Sequence, residues 1–457
     1  MPSRAILYRH PLAVAGALLT TVSAVVFIAL VIAVAAGLFE HPYAGLVVFV
    51  AVPGLLVLGL LLIPLGMWLE ARRLHNHPEI TRDWPVFDLR NKTTRNQVLA
   101  VVALTAVNIV IILLAGKGAV HYMDSPSFCG QACHVPMQPQ FTAWRAAPHA
   151  EVKCTACHVG EGAKALVRAK LAGTRQLYHV LTNQVPRPIP GVADMRPALE
   201  TCGNCHWPGR DSGDVIKVKR EYADDDANSE TLTILQMFVG GPGRPTSSGR
   251  AIHWHADPGV RIEFVSTDHS RQTIPYVRLV GKDGKVKEYK AEGATDEQIA
   301  KGERRVMDCI DCHNAPAHRI APTAEQAVDA AIENGGISRN LSFVRRESVR
   351  LVKAEYSTQE QGLDEIEKGV RGLYAGKDGV DGAALARAIG AVKSVYQQNV
   401  FPAMKVTFGV YPDNLGHITS NGCVRCHDGR AAADGSKIND DCEFCHKQIE
   451  RPSSSTP

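Results

Sequence analysis

All twelve cysteines of this 457-residue chain fall into six pairs, and a histidine directly follows the second cysteine of every pair. Five pairs have two intervening residues and one has three. Two thiols that add to the two vinyl groups of one haem, followed by a histidine that binds the iron, require this order of residues. The pattern predicts six covalently bound haem c groups. The motifs are Cys129, Cys133 and His134; Cys154, Cys157 and His158; Cys202, Cys205 and His206; Cys309, Cys312 and His313; Cys423, Cys426 and His427; and Cys442, Cys445 and His446.

Other proteins use closely spaced cysteine pairs, but they do not need the histidine. Zinc ribbons, disulfides and thioredoxin-like redox pairs all contain C-x-x-C, and none of them requires histidine at the next position. The first motif, with its three intervening residues, is the weakest of the six taken alone. Its place beside five regular motifs favours the same interpretation.

Three uncharged apolar runs precede the first motif. They cover residues 12–39, 44–69 and 98–116, and each is long enough to cross the hydrocarbon core of a bilayer as a helix. They predict a three-helix membrane anchor over residues 1–118. The alternative for the first run is a signal peptide cleaved after residues 33–35, but the run is longer than a normal signal-peptide core.

The basic residues near the membrane segments predict their orientation. Residues 70–97 contain six arginines and lysines, whereas the connection at residues 40–43 contains none. Arg4 and Arg9 lie at the amino terminus. Because cytoplasmic loops carry the excess of Lys and Arg, the amino terminus and the 70–97 loop are expected in the cytoplasm. The protein is then a multi-pass protein of the bacterial inner membrane with its haem domains in the periplasm.

The periplasmic part divides into two haem-bearing segments around a cysteine-free one. Residues 119–210 hold haems 1–3, and residues 306–450 hold haems 4–6. Between them, residues 211–305 read as a small β-rich insert, with strands near 231–235, 261–265, 274–280 and 286–289 and a hairpin turn at 282–285. Apolar spacing predicts helices at 324–333, 341–354, 362–374 and 383–400, as scaffolding around the haems. The tail 451–457 is expected to be disordered.

The fold class predicted is therefore a membrane-anchored multihaem cytochrome c, with three amino-terminal transmembrane helices and a mainly α-helical and irregular, haem-packed periplasmic part. Its function depends on the second face of each iron, since a strong second ligand gives an electron carrier and a vacant face permits catalysis. The favoured distal ligands are His149, His255, His318 and His417, and weaker candidates are His253 and Met404. The alternative for each histidine is an ordinary surface or hydrogen-bonding role. His121, His179 and His269 are expected not to be ligands.

The first three motifs and their surroundings, directly after a membrane helix, resemble the NapC/NirT family of membrane-anchored quinol dehydrogenase cytochromes. The likeness covers about residues 98–210, and the whole architecture is similar to the extended inner-membrane members with three transmembrane helices. It implies oxidation of quinol, expected to be menaquinol, from the membrane quinone pool, and electron transfer to a periplasmic cytochrome or terminal reductase in anaerobic or extracellular respiration. The residues concerned are 128–137, Trp144, 148–150, 154–158, 170–171 and 202–206.

The chain departs from the family pattern in three ways. Its first motif has an extra residue, it has three membrane helices where the short members have one, and three haems precede the insert instead of four. In some family members a methionine just after the first motif binds the iron, so either His134 or Met137 holds haem 1. A quinol site also needs a proton acceptor near that haem. His121, Asp124 and Lys153 are the candidates, with plain interfacial anchoring as their alternative.

Two other functions compete with quinol-driven electron transfer. A catalytic multihaem reductase of a small nitrogen or sulfur oxyanion would need one open iron face, commonly in a C-x-x-C-K motif, and no such motif occurs. A structural anchor would recruit a periplasmic enzyme without exchanging electrons with quinone. The net charge of +4, without a basic stripe interleaved with aromatics, gives no indication of nucleic-acid binding.

Overall fold

The computed structural model forms two compact units, Met1–His134 and Val135–Pro457. The residues that it describes are 10–35, 38, 47–76, 90–132, 134–160, 162–191, 196–206, 213–241, 246–248 and 251–450. Cys133 of the first motif, residues 77–89 of the predicted cytoplasmic loop and the predicted tail 451–457 lie outside the described residues.

The first unit contains three long helices, α1 (Pro11–Ala35), α2 (Val52–Asn76) and α3 (Lys92–Met123). Each is long and apolar enough to cross a membrane, which confirms the three predicted apolar segments. Small residues allow α1 and α2 to approach closely. A Cβ atom on Gly16 would lie 2.7 Å from the carbonyl oxygen of Gly59, so only glycine fits there.

Four helices, α4 to α7, open the haem-bearing part of the chain. Two of the first three motifs lie within or directly before them, and α6 is the only long helix of the four. They span His134–Arg145 (α4), Cys154–His158 (α5), Ala163–Leu181 (α6) and Ala198–Thr201 (α7).

Two antiparallel sheets follow, and all four predicted strands are present in them. The predicted hairpin turn is also confirmed, since the amide of Gly281 donates to the carbonyl of Lys285 at 2.9 Å. The strands are β1 (Asp214–Tyr222), β2 (Glu230–Phe238), β3 (Arg261–Ser266), β4 (Tyr276–Val280), β5 (Val286–Lys290), β6 (Glu303–Val306) and β7 (His446–Glu450). They are ordered β1-β2-β7 and β5-β4-β3-β6.

The β-rich region is less self-contained than an insert at 211–305 would be. Strand β7 begins at the last motif histidine, His446, and pairs with β2, where His446 lies opposite Met237. Strand β6 ends three residues before the fourth motif. The sheets therefore extend into the second haem-bearing segment.

The four predicted helices of the last segment are also present. They are α10 (Ala324–Glu333), α11 (Val344–Lys353), α12 (Gln359–Tyr374) and α13 (Gly382–Asn399). Two short helices, α8 (Asp296–Lys301) and α9 (Cys309–Cys312), precede them, and the last two motifs follow them. The side chains of Thr323, Thr358 and Asp381 cap the amino termini of α10, α12 and α13.

These four helices differ from the expected haem scaffold. Their apolar faces pack on one another, and Val328, Ile366, Val392 and Tyr396 are completely buried in the resulting core. The apolar stripes are wide enough to bury each other without a cofactor. Motifs 4, 5 and 6 lie before and after the bundle in the sequence.

Candidate haem sites

Each of the five regular motif histidines faces one histidine from outside the motifs. Two imidazoles bound to opposite faces of one metal, with metal–nitrogen bonds of about 2 Å, have ring centres roughly 6 Å apart. The residues present therefore fit five irons held by histidine on both faces. The distances between ring centres are 6.0 Å for His158 and His318, 6.0 Å for His206 and His149, 6.4 Å for His313 and His253, 5.8 Å for His427 and His255, and 6.1 Å for His446 and His417.

Backbone carbonyls orient four of these ten rings. Because a carbonyl oxygen only accepts, each Nδ1 must carry the proton, which leaves Nε2 free to bind a metal. The Nδ1 contacts are His149 with Pro316 (3.1 Å), His255 with Ile252 (2.6 Å), His318 with Gln140 (3.0 Å) and His427 with Asn439 (2.7 Å).

The protein environment also favours the neutral form of several of these ten imidazoles. Burial lowers the pKa of His255, His318 and His446. The facing histidine, His427 for His255 and His417 for His446, lowers the pKa further. Neutral imidazole is the form that binds a metal, so the sites are prepared for ligation near neutral pH.

Two of the facing histidines come from one short turn. His253 and His255 both lie in a 3₁₀ turn, Ile252–Ala256, just before β3. His253 faces His313 of motif 4 and His255 faces His427 of motif 5. The two residues do not compete for one motif, although the sequence interpretation ranked His253 below His255.

The segments that carry the facing histidines are interleaved. His318, which follows motif 4, faces motif 2, and His149, which precedes motif 2, faces motif 3. The indole Nε1 of Trp144 donates to the carbonyls of His149 and Val152, both at 3.0 Å, and fixes the turn that bears His149.

Hydrogen bonds link motifs 3, 4 and 5 in that order. Asp308 accepts a bond from the amide of Ala198 at 2.6 Å, which joins the approach to motif 3 to motif 4. The guanidinium of Arg425, inside motif 5, donates to the carbonyl of Asp311, inside motif 4, at 2.6 Å. Asp311 and Arg425 are 3% and 8% exposed, so this connection is buried.

Several of the motif cysteines lie in surroundings that disfavour the thiolate. None of the eleven described cysteines is in a disulfide. Burial raises the pKa of Cys312 to about 12 and those of Cys309 and Cys426 to about 11. Within the described part of the chain, no group of three or more His, Cys, Asp or Glu residues is placed to hold a bare metal ion. These thiols therefore lack the lowered pKa of a redox-active cysteine pair.

The first motif lies directly after the last membrane-spanning helix. Phe128–Ala132 forms a π-helical turn four residues beyond the end of α3, and the rings of Phe128 and Tyr122 meet edge to face at 5.4 Å. His121 lies in the last turn of α3, and Asp124 follows it as the helix cap. Lys153, at the start of α5, belongs to the second unit.

Met404, a weaker distal candidate, and His269, which was expected not to be a ligand, both contact groups outside the motifs. Met404 is 1% exposed and packs with Ile320, Phe401 and Val406, so its side chain fills an apolar core. His269 contacts the carbonyl of Gly191 through Nε2 at 3.2 Å. Met137 lies on α4, and the choice between it and His134 stays a prediction.

Comparisons with known proteins identify the family of the chain. The family described as NapC/NirT cytochrome c family, N-terminal region, matches residues 91–188. The cytochrome c-type protein ImcH of Geobacter sulfurreducens is 36% identical to this chain over 458 residues. The match covers 98% of this chain and 89% of ImcH. No solved structure matches the chain. The likeness to the relative thus extends through both units.

Proposed function

Because the chain belongs to the NapC/NirT family of c-type cytochromes, we propose that it oxidises menaquinol in the bacterial inner membrane and passes the electrons through six haems to a periplasmic acceptor. The family and the three apolar helices make the protein a membrane-anchored, electron-transferring multihaem cytochrome. The substrate, the number of haems and the periplasmic side of the haem domains belong to the proposal.

The five histidine pairs carry this proposal. A haem iron held by two histidines exchanges single electrons and has no open face for a substrate. The chain supplies those histidines from half-buried, hydrogen-bonded positions such as His255 and His318. A reductase of a small oxyanion would need an open face, and the pairing at motifs 2 to 6 does not favour it.

The linked motifs support an order for the electron path. Interleaved histidines connect motif 2 to motif 3, and buried hydrogen bonds connect motif 3 to motif 4 and motif 4 to motif 5. The turn that bears His253 and His255 serves motifs 4 and 5 together. These contacts link motifs 2 to 5, and on this proposal electrons would enter that group from the first motif and leave it through the sixth.

The end of α3 is the proposed site of quinol oxidation. Quinol releases two electrons and two protons, so a proton acceptor must lie near the first motif. The imidazole of His121 and the carboxylate of Asp124 are on the last turn and the cap of α3, seven or fewer residues before Phe128. Lys153 stays a candidate on the strength of the sequence alone.

Reduction by quinol in liposomes tests the function. The purified holoprotein is reconstituted into vesicles, a water-soluble menaquinol analogue is added, and haem reduction is followed by the visible absorbance. We expect reduction of most of the haem that dithionite reduces. If dithionite reduces the haems and the quinol does not, the protein is not a quinol dehydrogenase.

The number of haems is tested by mass. We expect the intact denatured protein to carry the mass of six haems and no thiol that reacts with an alkylating reagent. The Cys442→Ser/Cys445→Ser variant should lose one haem and retain five. A wild-type mass that corresponds to five haems, with Cys129 and Cys133 alkylated, would contradict the assignment of the irregular motif.

A further inference from the structure

Helix α6, Ala163–Leu181, presents an apolar stripe on its outer face. Val167, Leu171, Tyr178 and Leu181 recur at three-, four- and seven-residue spacing, which places them on one side of the helix. Their exposed fractions are 57%, 69%, 59% and 77%. From Val167 to Leu181 the stripe is about 21 Å long.

The opposite face of α6, and not the stripe, packs against the rest of its unit. Ala165, Ala169 and Val180, on the opposite side, are half-buried. A contiguous exposed row of large apolar residues is unusual on a soluble surface and marks an interaction site.

The charges on α6 are all of one sign. The helix carries Lys164, Arg168, Lys170 and Arg175 and no acidic residue. Arg168 and Arg175 are exposed and border the stripe on one side, and Lys170 is exposed on the other. An apolar stripe flanked by basic residues, with low net hydrophobicity, is the pattern of a helix that lies in the membrane interface.

We propose that α6 lies on the surface of the membrane that anchors the chain, with its apolar stripe among the lipid headgroups and its basic residues on anionic phosphates. The charge complementarity selects anionic phospholipid as the occupant. Tyr178 suits the headgroup region of the bilayer, since its ring is apolar and its hydroxyl is polar.

Because the chain is anchored in the membrane, even a weak affinity of α6 for lipid is sufficient to keep the helix on the bilayer surface. Three apolar helices already hold the chain at the bilayer, so contact of α6 with lipid is an intramolecular second attachment at high effective concentration. The proposal rests on membrane anchoring and not on the oxidation of quinol.

Photocrosslinking in proteoliposomes tests the contact. The photoreactive residue p-benzoylphenylalanine replaces Leu171 in the full-length holoprotein, which is reconstituted into vesicles that contain phosphatidylglycerol. After irradiation, mass spectrometry of the peptides should show a phospholipid adduct at this position. A second variant, with the same residue in place of Ile216, controls for apolar exposure, because Ile216 on β1 is 54% exposed and belongs to no basic helix. We expect at least severalfold more lipid adduct at position 171 than at position 216.

The charge contribution is tested in the same system. Adding Arg168→Glu and Arg175→Glu to the position-171 variant should reduce the adduct severalfold in phosphatidylglycerol vesicles and leave the small amount in phosphatidylcholine vesicles unchanged. Haem content and visible spectrum confirm that each variant is folded. Adducts with protein instead of lipid, or equal lipid adducts at positions 171 and 216, would overturn the proposal in favour of a protein-facing or unspecific surface.

Discussion

Replacing His253 with alanine should convert one haem from low spin to high spin, and replacing His255 should do so for a different haem. Each substitution removes the imidazole that faces a motif histidine, at 6.4 Å for His313 and 5.8 Å for His427. The iron would keep one strong ligand and would gain an open or water-bound face. Electron paramagnetic resonance of the oxidised protein should show about one additional high-spin haem in each single variant and two in the double variant.

The comparison between the two variants is the sharper part of this test. If the turn supplied only one ligand, one of the two substitutions would leave the spectrum unchanged, and the double variant would match the other single one. His269→Ala serves as a control, because the His269 ring contacts the backbone carbonyl of Gly191 and its loss should leave every haem low-spin. An open face in either variant would also permit binding of small oxyanions, which can be followed as a spectral shift.

Local patterns made much of this fold predictable. The six motifs can be recognised because haem attachment confines cysteines and histidine to five or six consecutive residues. The membrane helices and α10 to α13 follow from composition and spacing within one segment, and α10 begins and ends where its apolar period does. The pairing of β2 with β7 was not predicted, since their residues lie more than two hundred positions apart.

The partners of the motif histidines were harder to predict for the same reason. His158 and His318 are 160 positions apart, and nothing in either local sequence indicates which motif His318 faces. In the turn at Ile252–Ala256, the sequence favoured His255 and ranked His253 as a weaker candidate, and it assigned neither histidine to a motif. The two-residue spacing of His253 and His255 was the available signal that they serve different motifs. In a 3₁₀ turn, side chains two positions apart point in directions about 120° apart. Local sequence does not resolve Met404 either, since a methionine in an apolar core has no local mark that separates it from a ligand.

Removing the first haem should abolish reduction by quinol while leaving the rest of the chain competent. In the Cys129→Ser/Cys133→Ser variant, haem 1 has no covalent attachment, and the motif next to α3 loses its cofactor. If electrons enter there, a menaquinol analogue in proteoliposomes should reduce the remaining five haems far more slowly than it reduces the haems of the wild-type protein. Dithionite should still reduce all five. The measurement is the initial rate of haem reduction by absorbance, with haem content determined in the same sample.

The matched control removes the last haem instead of the first. In the Cys442→Ser/Cys445→Ser variant, the analogue should reduce the remaining haems at nearly the wild-type rate, because the site at the end of α3 is unchanged. Transfer onward to an added soluble cytochrome should then decrease. Unchanged quinol-driven reduction in the first variant would move electron input to another motif, and loss of that reduction in both variants would indicate a general defect in assembly. Quinol-driven reduction that is lost in the first variant and retained in the second would show the direction of electron transfer. Electrons would then move from the irregular motif beside the membrane to the pair of motifs at the carboxyl end.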